Sequence, residues 1–177
     1  VFYLPGKSVN GTFIPQKSAR TRPVIILFHD GPESQFRPRF MGRLNYFMSE
    51  QGIALICPNV RGSSGYGKKF LKADNGIARA GVLRDIQQLR EAIAADPKFD
   101  AKRIAVMGSS YGGFMALHSM VEMNSFVQCG VNVAGISDFV TFLKNTSDYR
   151  RDLRRVEYGD ERDPKIRKFL KDISPLT

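Results

Sequence analysis

Residues 108–113 (GSSYGG) follow a short apolar run, residues 103–107 (RIAVM), and contain the pattern G-x-S-x-G. In this pattern a strand turns sharply into a helix, and the serine at the tip points its hydroxyl out of the sheet. Gly108 and Gly112, two positions before and after the serine, allow the strand and the helix to pack closely. The pattern therefore predicts a nucleophile elbow with Ser110 as the nucleophile, and acyl transfer as its chemistry.

A serine hydroxyl needs a base to become a good nucleophile, and the sequence offers two histidines. In hydrolases with this elbow the triad runs Ser, then Asp or Glu, then His along the chain. Only His118 follows Ser110, with no acid between them, and it lies eight residues along the predicted helix, about 12 Å of rise away. His29 precedes the serine, and a base acting from there would depart from the pattern. Neither histidine is expected to activate Ser110.

Alternating strand and helix signals indicate the elements that must position this elbow. Residues 23–28 (PVIILF) and 53–60 (IALICPNV) are apolar runs typical of strands buried on both faces, and residues 130–134 predict a further strand. The fold class predicted is α/β, a mostly parallel sheet flanked by helices. His29, the glycine-rich loop 61–68 and Ser110 all follow strands, so they should converge at the carboxyl edge of the sheet. One helix face carries apolar residues at i, i+4, i+7 and i+11: Val82, Ile86, Leu89 and Ile93.

The composition is that of a soluble globular domain. The 177 residues are 42% hydrophobic and 25% charged, and no apolar run reaches the roughly 18 residues that span a membrane. No signal peptide is visible, so the compartment stays open between cytoplasm and periplasm. Cys57 and Cys129 lie in apolar strand-like runs and are expected to be buried free thiols, with no metal or cofactor site.

The net charge of +10 suggests a nucleic-acid or membrane-surface partner, but the basic residues are scattered among acidic ones. The densest basic cluster is residues 149–155 (YRRDLRR). The pairs Asp148–Arg151 and Asp152–Arg155 have i,i+3 spacing, which is typical of a solvated helix face, with a substrate or partner contact as the alternative. We therefore expect neither a nucleic-acid partner nor a membrane.

Three ordered motifs resemble the catalytic α/β-hydrolase domain of the prolyl oligopeptidase family of serine peptidases. They are residues 29–35 (HDGPESQ, where the family usually has HGGP), residues 59–67 (NVRGSSGYG) and residues 108–113. The stretches 150–163 and 173–176 (ISPL) are also similar, so the resemblance covers essentially residues 1–177. It implies an α/β-hydrolase fold and the hydrolysis of peptide bonds in oligopeptides, without a cofactor.

The resemblance also implies roles for individual residues. Ser110 would be acylated, and the backbone N–H group of Tyr111, just after it, would be one donor of the oxyanion hole. The second donor would be the N–H group of Gly31, in the loop after the first apolar strand. Asp30 replaces the glycine that usually precedes this position in the family.

The same resemblance implies residues of a substrate pocket. His29 occupies the position where some family members place an oxyanion tyrosine. Phe139 and Phe142 fall just past the strand after the elbow, where aromatics of similar enzymes line the pocket for the residue before the scissile bond. Ordinary core aromatics are the alternative interpretation of both phenylalanines.

In the family that this sequence resembles, the triad Asp and His follow a segment like residues 173–176, and a β-propeller precedes the domain. The sequence given ends at Thr177. It is therefore expected to be a partial α/β-hydrolase domain that lacks its C-terminal strands, the triad Asp and His, and the propeller. Alone it should hydrolyse substrates hardly at all. The sheet edge beside residues 130–134 would be exposed and would favour self-association.

Three alternatives stay open. A carboxylesterase uses the same elbow, which does not separate ester from peptide substrates. A non-enzymatic protein could use the same α/β-hydrolase scaffold for binding or assembly. Residues 62–68 (GSSGYGK) fit the phosphate-binding pattern G-x-x-x-x-G-K, but Lys69 stands where a Ser or Thr would hold Mg²⁺. The sequence does not specify whether cleavage is of the endo-, dipeptidyl- or acylaminoacyl type.

Overall fold

The computed structural model describes residues 2–4, 6–9, 12–15 and 21–177, with side chains described for residues 3–4 and 21–177. Its strands are β1 (Phe2–Tyr3), β2 (Gly6–Val9), β3 (Thr12–Pro15), β4 (Arg22–Phe28), β5 (Ala54–Ile56), β6 (Phe99–Ser109) and β7 (Val127–Val133). Its α-helices are α1 (Asn45–Ser49), α2 (Lys68–Leu71), α3 (Ala80–Ala95), α4 (Tyr111–Glu122), α5 (Phe139–Asn145), α6 (Asp148–Tyr158) and α7 (Pro164–Asp172). Two 3₁₀ turns, Gly42–Leu44 and Gly76–Arg79, precede α1 and α3.

The main sheet has the strand order β1-β5-β4-β6-β7, and β2 pairs with β3 in a separate hairpin. Strands β5, β4, β6 and β7 run parallel, while β1 is antiparallel to β5. Parallel strands need crossover connections, and the helices in these connections cover the sheet. The predicted α/β class with a mostly parallel sheet flanked by helices is confirmed.

One face of the sheet is covered by α3 and α4. The predicted apolar face of α3 is confirmed, because Val82, Ile86 and Ile93 are buried and Leu89 is partly buried against the core. The first six residues of α4, residues 111–116, are all buried. A helix that is apolar on all sides belongs inside a core, so the helix that begins at the elbow is held from every side.

The opposite face is covered over β4 and β5 and is open over β6 and β7. Side chains of β6 and β7 line an apolar groove of about 360 Å³ there, among them Ala105, Met107, Cys129 and Val131. The prediction of two buried thiols is correct for Cys57 and wrong for Cys129, which is exposed. Cys129 lies on this open face of a strand that, in the part of the chain described, is at the sheet edge. Self-association through that edge stays a prediction.

The basic segment 149–155 lies in α6, as expected. Asp148 and Arg151 are 2.8 Å apart, and Asp152 and Arg155 are 3.1 Å apart, each pair at i,i+3. The two predicted ion pairs are therefore confirmed, but the face is not solvated throughout, because the side chain of Arg155 is only 14% exposed and also binds the buried Glu161 at 2.6 Å. No helix in the described part of the chain is both long enough and apolar enough to cross a membrane.

Five polar or aromatic side chains are buried together between α4, α6 and the segment before α3. We call them the Arg79 cluster: Asp74, Arg79, Tyr111, Glu157 and Tyr158. Arg79 Nη1 lies 2.9 Å from Asp74 Oδ2, and Arg79 Nη2 lies 3.5 Å from Glu157 Oε1. Burial raises the pKa of Glu157 from 4.5 to about 7, although the nearby guanidinium of Arg79 opposes this shift. Glu157 therefore changes its charge near neutral pH.

We expect Glu157→Gln to become relatively more stable as the pH rises from about 5 to about 8. The pKa of Glu157 is higher in the folded chain, so in this window the folded state holds a proton that the unfolded chain has released. The contribution of Glu157 to stability is full below about pH 4.5 and is lost as the pH rises through about 7. The variant lacks this loss, so its free energy of unfolding should rise by on the order of 1–2 kcal/mol relative to that of the wild type across the window.

Urea unfolding of both proteins at several pH values measures this difference. The comparison is needed because burial lowers the pKa values of His29 and His118, and those groups make stability rise with pH. Both histidines are present in the variant and cancel in the difference. A difference that stays constant with pH would mean that Glu157 does not titrate near neutrality in the folded protein.

Candidate active site

Ser110 lies between the end of β6 and the start of α4 with φ 50° and ψ −117°. A non-glycine residue with positive φ is strained, and such strain persists only where the surrounding structure enforces it. The Ser110 N–H group donates to the carbonyl of Val133 at 3.1 Å, which ties the turn to the end of β7. The side chain of Ser110 is exposed. The structure therefore has the strand–turn–helix geometry of a nucleophile elbow.

The glycines around Ser110 explain why the turn can be so tight. A Cβ atom on Gly108 would collide with the carbonyl oxygen of Gly112, and one on Gly112 would lie 2.5 Å from the carbonyl oxygen of Phe28. Both obstacles are backbone atoms, which no rotamer change can remove. The predicted close packing of strand and helix at these two glycines is confirmed.

The two N–H groups expected to form the oxyanion hole lie on either side of this turn. Tyr111 is the first residue of α4, where N–H groups have no intrahelical acceptor and the helix dipole is positive. Gly31 lies in a turn with φ 61°. This turn is closed by a hydrogen bond in which the Ser34 N–H group donates to the carbonyl oxygen of Gly31 at 3.1 Å. The pairing of Phe28 with Gly108 places the Gly31 loop next to the elbow. The oxyanion role of both residues stays a prediction.

His29 is buried under this loop with both ring nitrogens engaged. Its Nδ1 lies 3.1 Å from the carbonyl oxygen of Gly31, so Nδ1–H donates there. Its Nε2 lies 2.9 Å from Ser63 Oγ and accepts from that hydroxyl. Burial lowers the pKa of His29, which keeps the imidazole neutral at neutral pH. His29 therefore ties the Gly31 loop to the glycine-rich loop after β5, and its nitrogens are not directed at Ser110.

His29 lines a cavity of about 260 Å³ at the carboxyl ends of β4 and β6, together with Phe36, Arg39 and Ser109. Ser110 lines a different cavity, described below. A substrate-pocket role for His29 stays a prediction.

His118 lies two turns along α4 with its ring 6.0 Å from that of Phe114. Burial lowers the pKa of His118. An offset of eight residues in a helix corresponds to about 12 Å of rise, too far for proton transfer from Ser110. His118 is a helix-packing residue in this structure.

A cavity of about 270 Å³ opens beside Ser110. Its other lining residues come from the segment after β7, from α5 and from the end of the described chain: Ala134, Gly135, Ile136, Ser137, Asp138, Thr141, Phe142, Asn145 and Leu176. Phe142 thus lines the same cavity as Ser110, and its role in a substrate pocket stays a prediction. Phe139 is fully buried instead, with its ring 4.8 Å from that of Phe114. The structure therefore places Phe142, and not Phe139, at the cavity wall.

Sequence reasoning missed Ser63 and the Arg79 cluster. Ser63 was visible only as part of a glycine-rich loop, and its bond to His29 joins residues 34 positions apart. Asp74 and Arg79 lie in a segment without apolar periodicity, and charged residues are rarely fully buried. A pair of opposite charges five residues apart gave no usable signal. In the part of the chain described, no group of His, Cys, Asp and Glu side chains could hold a metal ion.

Comparisons with known proteins give consistent results. A model of the prolyl oligopeptidase family matches residues 38–177. Dipeptidyl peptidase family member 6 of Caenorhabditis elegans is 29% identical over 167 residues, which are 92% of this chain and 22% of that protein. Dipeptidyl aminopeptidase BIII of Pseudoxanthomonas mexicana is 29% identical over 158 residues, which are 88% of this chain and 23% of that protein.

Among solved structures, a puromycin hydrolase superposes with a TM-score of 0.83 and 25% identity over 99% of this chain and 26% of that chain. The chain thus spans less than a quarter of the length of the two curated relatives and about a quarter of the solved structure.

Proposed function

Because the chain belongs to the prolyl oligopeptidase family, we propose that it carries the nucleophile and the oxyanion hole of a serine peptidase that cleaves oligopeptides. The observation that carries this proposal is the strained, exposed Ser110 between β6 and α4. Strained backbone at an exposed nucleophile is a feature of catalytic elbows. The family match adds the reaction class to this geometry.

In the proposed reaction, Ser110 Oγ attacks the carbonyl carbon of the scissile peptide bond while its proton passes to a general base. The carbonyl oxygen becomes an oxyanion and accepts from the backbone N–H groups of Tyr111 and Gly31. The C–N bond then breaks, and the amine leaves with a proton from the protonated base. Water attacks the acyl-Ser110 ester, releases the acid and restores the hydroxyl. The acyl side chain would lie against Phe142 in the cavity beside Ser110.

We propose that the general base comes from residues other than 1–177. The Nε2 atom of His29 accepts from Ser63, and His118 lies two helical turns away from Ser110. Both observations support this proposal. On this basis the 177-residue chain by itself should show only the residual reactivity of a nucleophile with an oxyanion hole, at most about 10³–10⁴ above the reaction in water.

The names of the relatives suggest peptide substrates. Two of them are a dipeptidyl peptidase family member and a dipeptidyl aminopeptidase. We extend to this chain only the substrate class, which is peptides whose scissile carbonyl group can reach Ser110. The apolar ring of Phe142 in the cavity supports an apolar residue before the scissile bond.

Phosphonylation of Ser110 tests the proposed function. A fluorophosphonate has a tetrahedral phosphorus whose oxygen resembles the oxyanion, so Ser110 Oγ displaces fluoride and forms a P–O bond. We expect slow modification of a single residue, Ser110, in the 177-residue chain at mildly alkaline pH. Intact-mass spectrometry measures the rate, and peptide mapping identifies the residue.

Ser109→Ala is the matched control for Ser110→Ala, because the two serines are adjacent and only Ser110 is at the tip of the turn. Ser110→Ala should abolish the modification, and Ser109→Ala should retain it within about threefold. If the wild-type chain reacts no faster at Ser110 than at its other serines, the proposed nucleophile is wrong. A binding scaffold without catalysis would then fit the fold better.

A further inference from the structure

The Arg79 cluster lies directly beneath the first residue of α4. Asp74 and Arg79 have no exposed surface, and Glu157 is 8% exposed. Two polar atoms within the cluster, Asp74 Oδ1 and Arg79 Nε, are buried without a hydrogen-bond partner. Replacing a buried ion pair by apolar side chains is often neutral or stabilising, so a charged cluster of this kind is a poor source of stability. Its placement indicates another role.

One side of the cluster holds the ring of Tyr111. The guanidinium carbon of Arg79 lies 5.0 Å from the centre of this ring, within the range of a cation–π contact. The phenol of Tyr111 donates to Asp74 Oδ2 at 3.4 Å, the same oxygen that binds Arg79. Both polar contacts act on the side chain of the residue whose backbone N–H group follows Ser110. A displacement of the Tyr111 side chain would therefore weaken both contacts.

The other side of the cluster reaches the cavity beside Ser110. The guanidinium carbon of Arg79 lies 4.4 Å from the ring centre of Tyr158. The ring of Tyr158 meets the ring of Phe142 edge-on, with 5.6 Å between their centres. Phe142 lines the cavity. Arg79 thus contacts, directly or through one aromatic ring, both the expected oxyanion donor and the cavity wall.

The loop around the cluster is shaped to admit it. Gly62 has φ 93°, and a Cβ atom at this position would collide with the carboxylate of Asp74. Arg79 Nη2 also donates to the carbonyl oxygen of Glu157 at 3.2 Å, which anchors the end of α6. The guanidinium thus joins a loop, a helix end and the elbow helix from one central position.

We propose that Arg79 is a positioning residue that fixes the backbone N–H group of Tyr111 toward the oxyanion and holds the Phe142 wall of the cavity. This inference rests on the proposed function for its consequence in catalysis, and on the contacts above for its consequence in structure. Displacement of about 1 Å at a reacting centre lowers rates by up to about 100-fold. Loss of Arg79 should therefore slow the reaction of Ser110 by about 10- to 100-fold.

The test uses the 177-residue chain with two variants at Arg79 and one control. The double variant Arg79→Met/Asp74→Asn removes the cation together with the Asp74 carboxylate, and the loss of the cation favours the protonated, neutral form of the remaining buried carboxyl, Glu157. Arg79→Lys keeps the charge without the planar fork. Arg150→Met is the control, because Arg150 is an exposed arginine on α6. Two quantities are measured well below the unfolding temperature: the phosphonylation rate of Ser110 and the NMR order parameter of the Tyr111 amide, with the Val106 amide in β6 as an internal reference.

In the double variant we expect the order parameter of the Tyr111 amide to fall from about 0.85 toward 0.6 while that of Val106 stays unchanged. The phosphonylation rate of Ser110 in the double variant should fall by about 10- to 100-fold. Both quantities should fall less in Arg79→Lys, and in Arg150→Met both should equal those of the wild type. Unchanged Tyr111 order and an unchanged rate in the folded variants would overturn the inference. If wild-type Ser110 does not react at all, the proposed function fails, and the Tyr111 order parameter alone decides whether Arg79 positions this residue. If the double variant does not fold, Arg79→Lys supplies the same decision.

Discussion

Replacing Gly112 with alanine should destabilise the protein by about 3 kcal/mol or more, although the same change in an ordinary helix is stabilising by up to about 1 kcal/mol. Gly112 is the second residue of α4. The new Cβ atom would lie 2.5 Å from the carbonyl oxygen of Phe28 and 2.7 Å from that of His29. Those atoms belong to the last residue of β4 and the residue after it, in the middle of the sheet, so α4 would have to move away from the sheet. Urea unfolding monitored by circular dichroism gives the free energy change.

Gly52→Ala is the matched control for this prediction. Gly52 has φ 67° and nothing within 4 Å of a built Cβ atom, so alanine there has only the conformational cost of a left-handed residue, about 1 kcal/mol. Gly112 has a helical backbone and lacks this conformational cost, so the steric cost there is the measured destabilisation plus the roughly 1 kcal/mol that alanine gains over glycine in a helix. Equal effects, or a Gly112→Ala protein as stable as the wild type, would show that the end of β4 and α4 do not approach as closely as the elbow requires. The Ser110 phosphonylation rate should fall with the Gly112 variant, because the turn that presents Ser110 is displaced.

The elbow and the sheet could be predicted because their signals are local. The G-x-S-x-G pattern specifies a turn through the sterics of neighbouring glycines, and continuous apolar runs specify buried parallel strands. Ser110 with its positive φ, the parallel strands and the apolar face of α3 all follow from short stretches of sequence. The resemblance to a peptidase family rested on the same short motifs.

The exposure of Cys129 could not be predicted in the same way. An apolar run such as the one around Cys129 predicts a strand, but its burial depends on what covers each face of the sheet. In the described part of the chain, the face that carries Cys129 is an open apolar groove. Strand periodicity contains no information about distant segments that cover a face.

The phenylalanines and the buried charges show the same limit. Phe139 and Phe142 are three positions apart on α5, and tertiary packing alone decides that Phe139 enters the core while Phe142 reaches the cavity. Arg79 is buried because three separate segments supply its partners. Those partners are 5, 32 and 78 residues away along the chain, so no local sequence pattern predicts these contacts.

The reaction rate of Ser110 in the 177-residue chain should rise about tenfold per pH unit between about pH 6 and about pH 9, without a plateau. Without a positioned histidine, the reactive species is the serine alkoxide, and its population is proportional to the hydroxide concentration. A histidine base would instead make the rate level off above the pKa of its imidazole. The measurement is the phosphonylation rate of Ser110 by intact-mass spectrometry at several pH values, each corrected for hydrolysis of the reagent.

The two histidines provide the decisive controls for this profile. His118→Gln removes an imidazole whose pKa is lowered by burial and that packs on Phe114, and it should leave the rate within about twofold at every pH. His29→Asn removes the tie between Ser63 and the Gly31 loop, so it should lower the rate by a factor that does not change with pH. A plateau near neutral pH that disappears in either variant would identify that histidine as the base. The proposal that the base lies outside residues 1–177 would then be wrong, because a residue of this chain would deprotonate Ser110 directly.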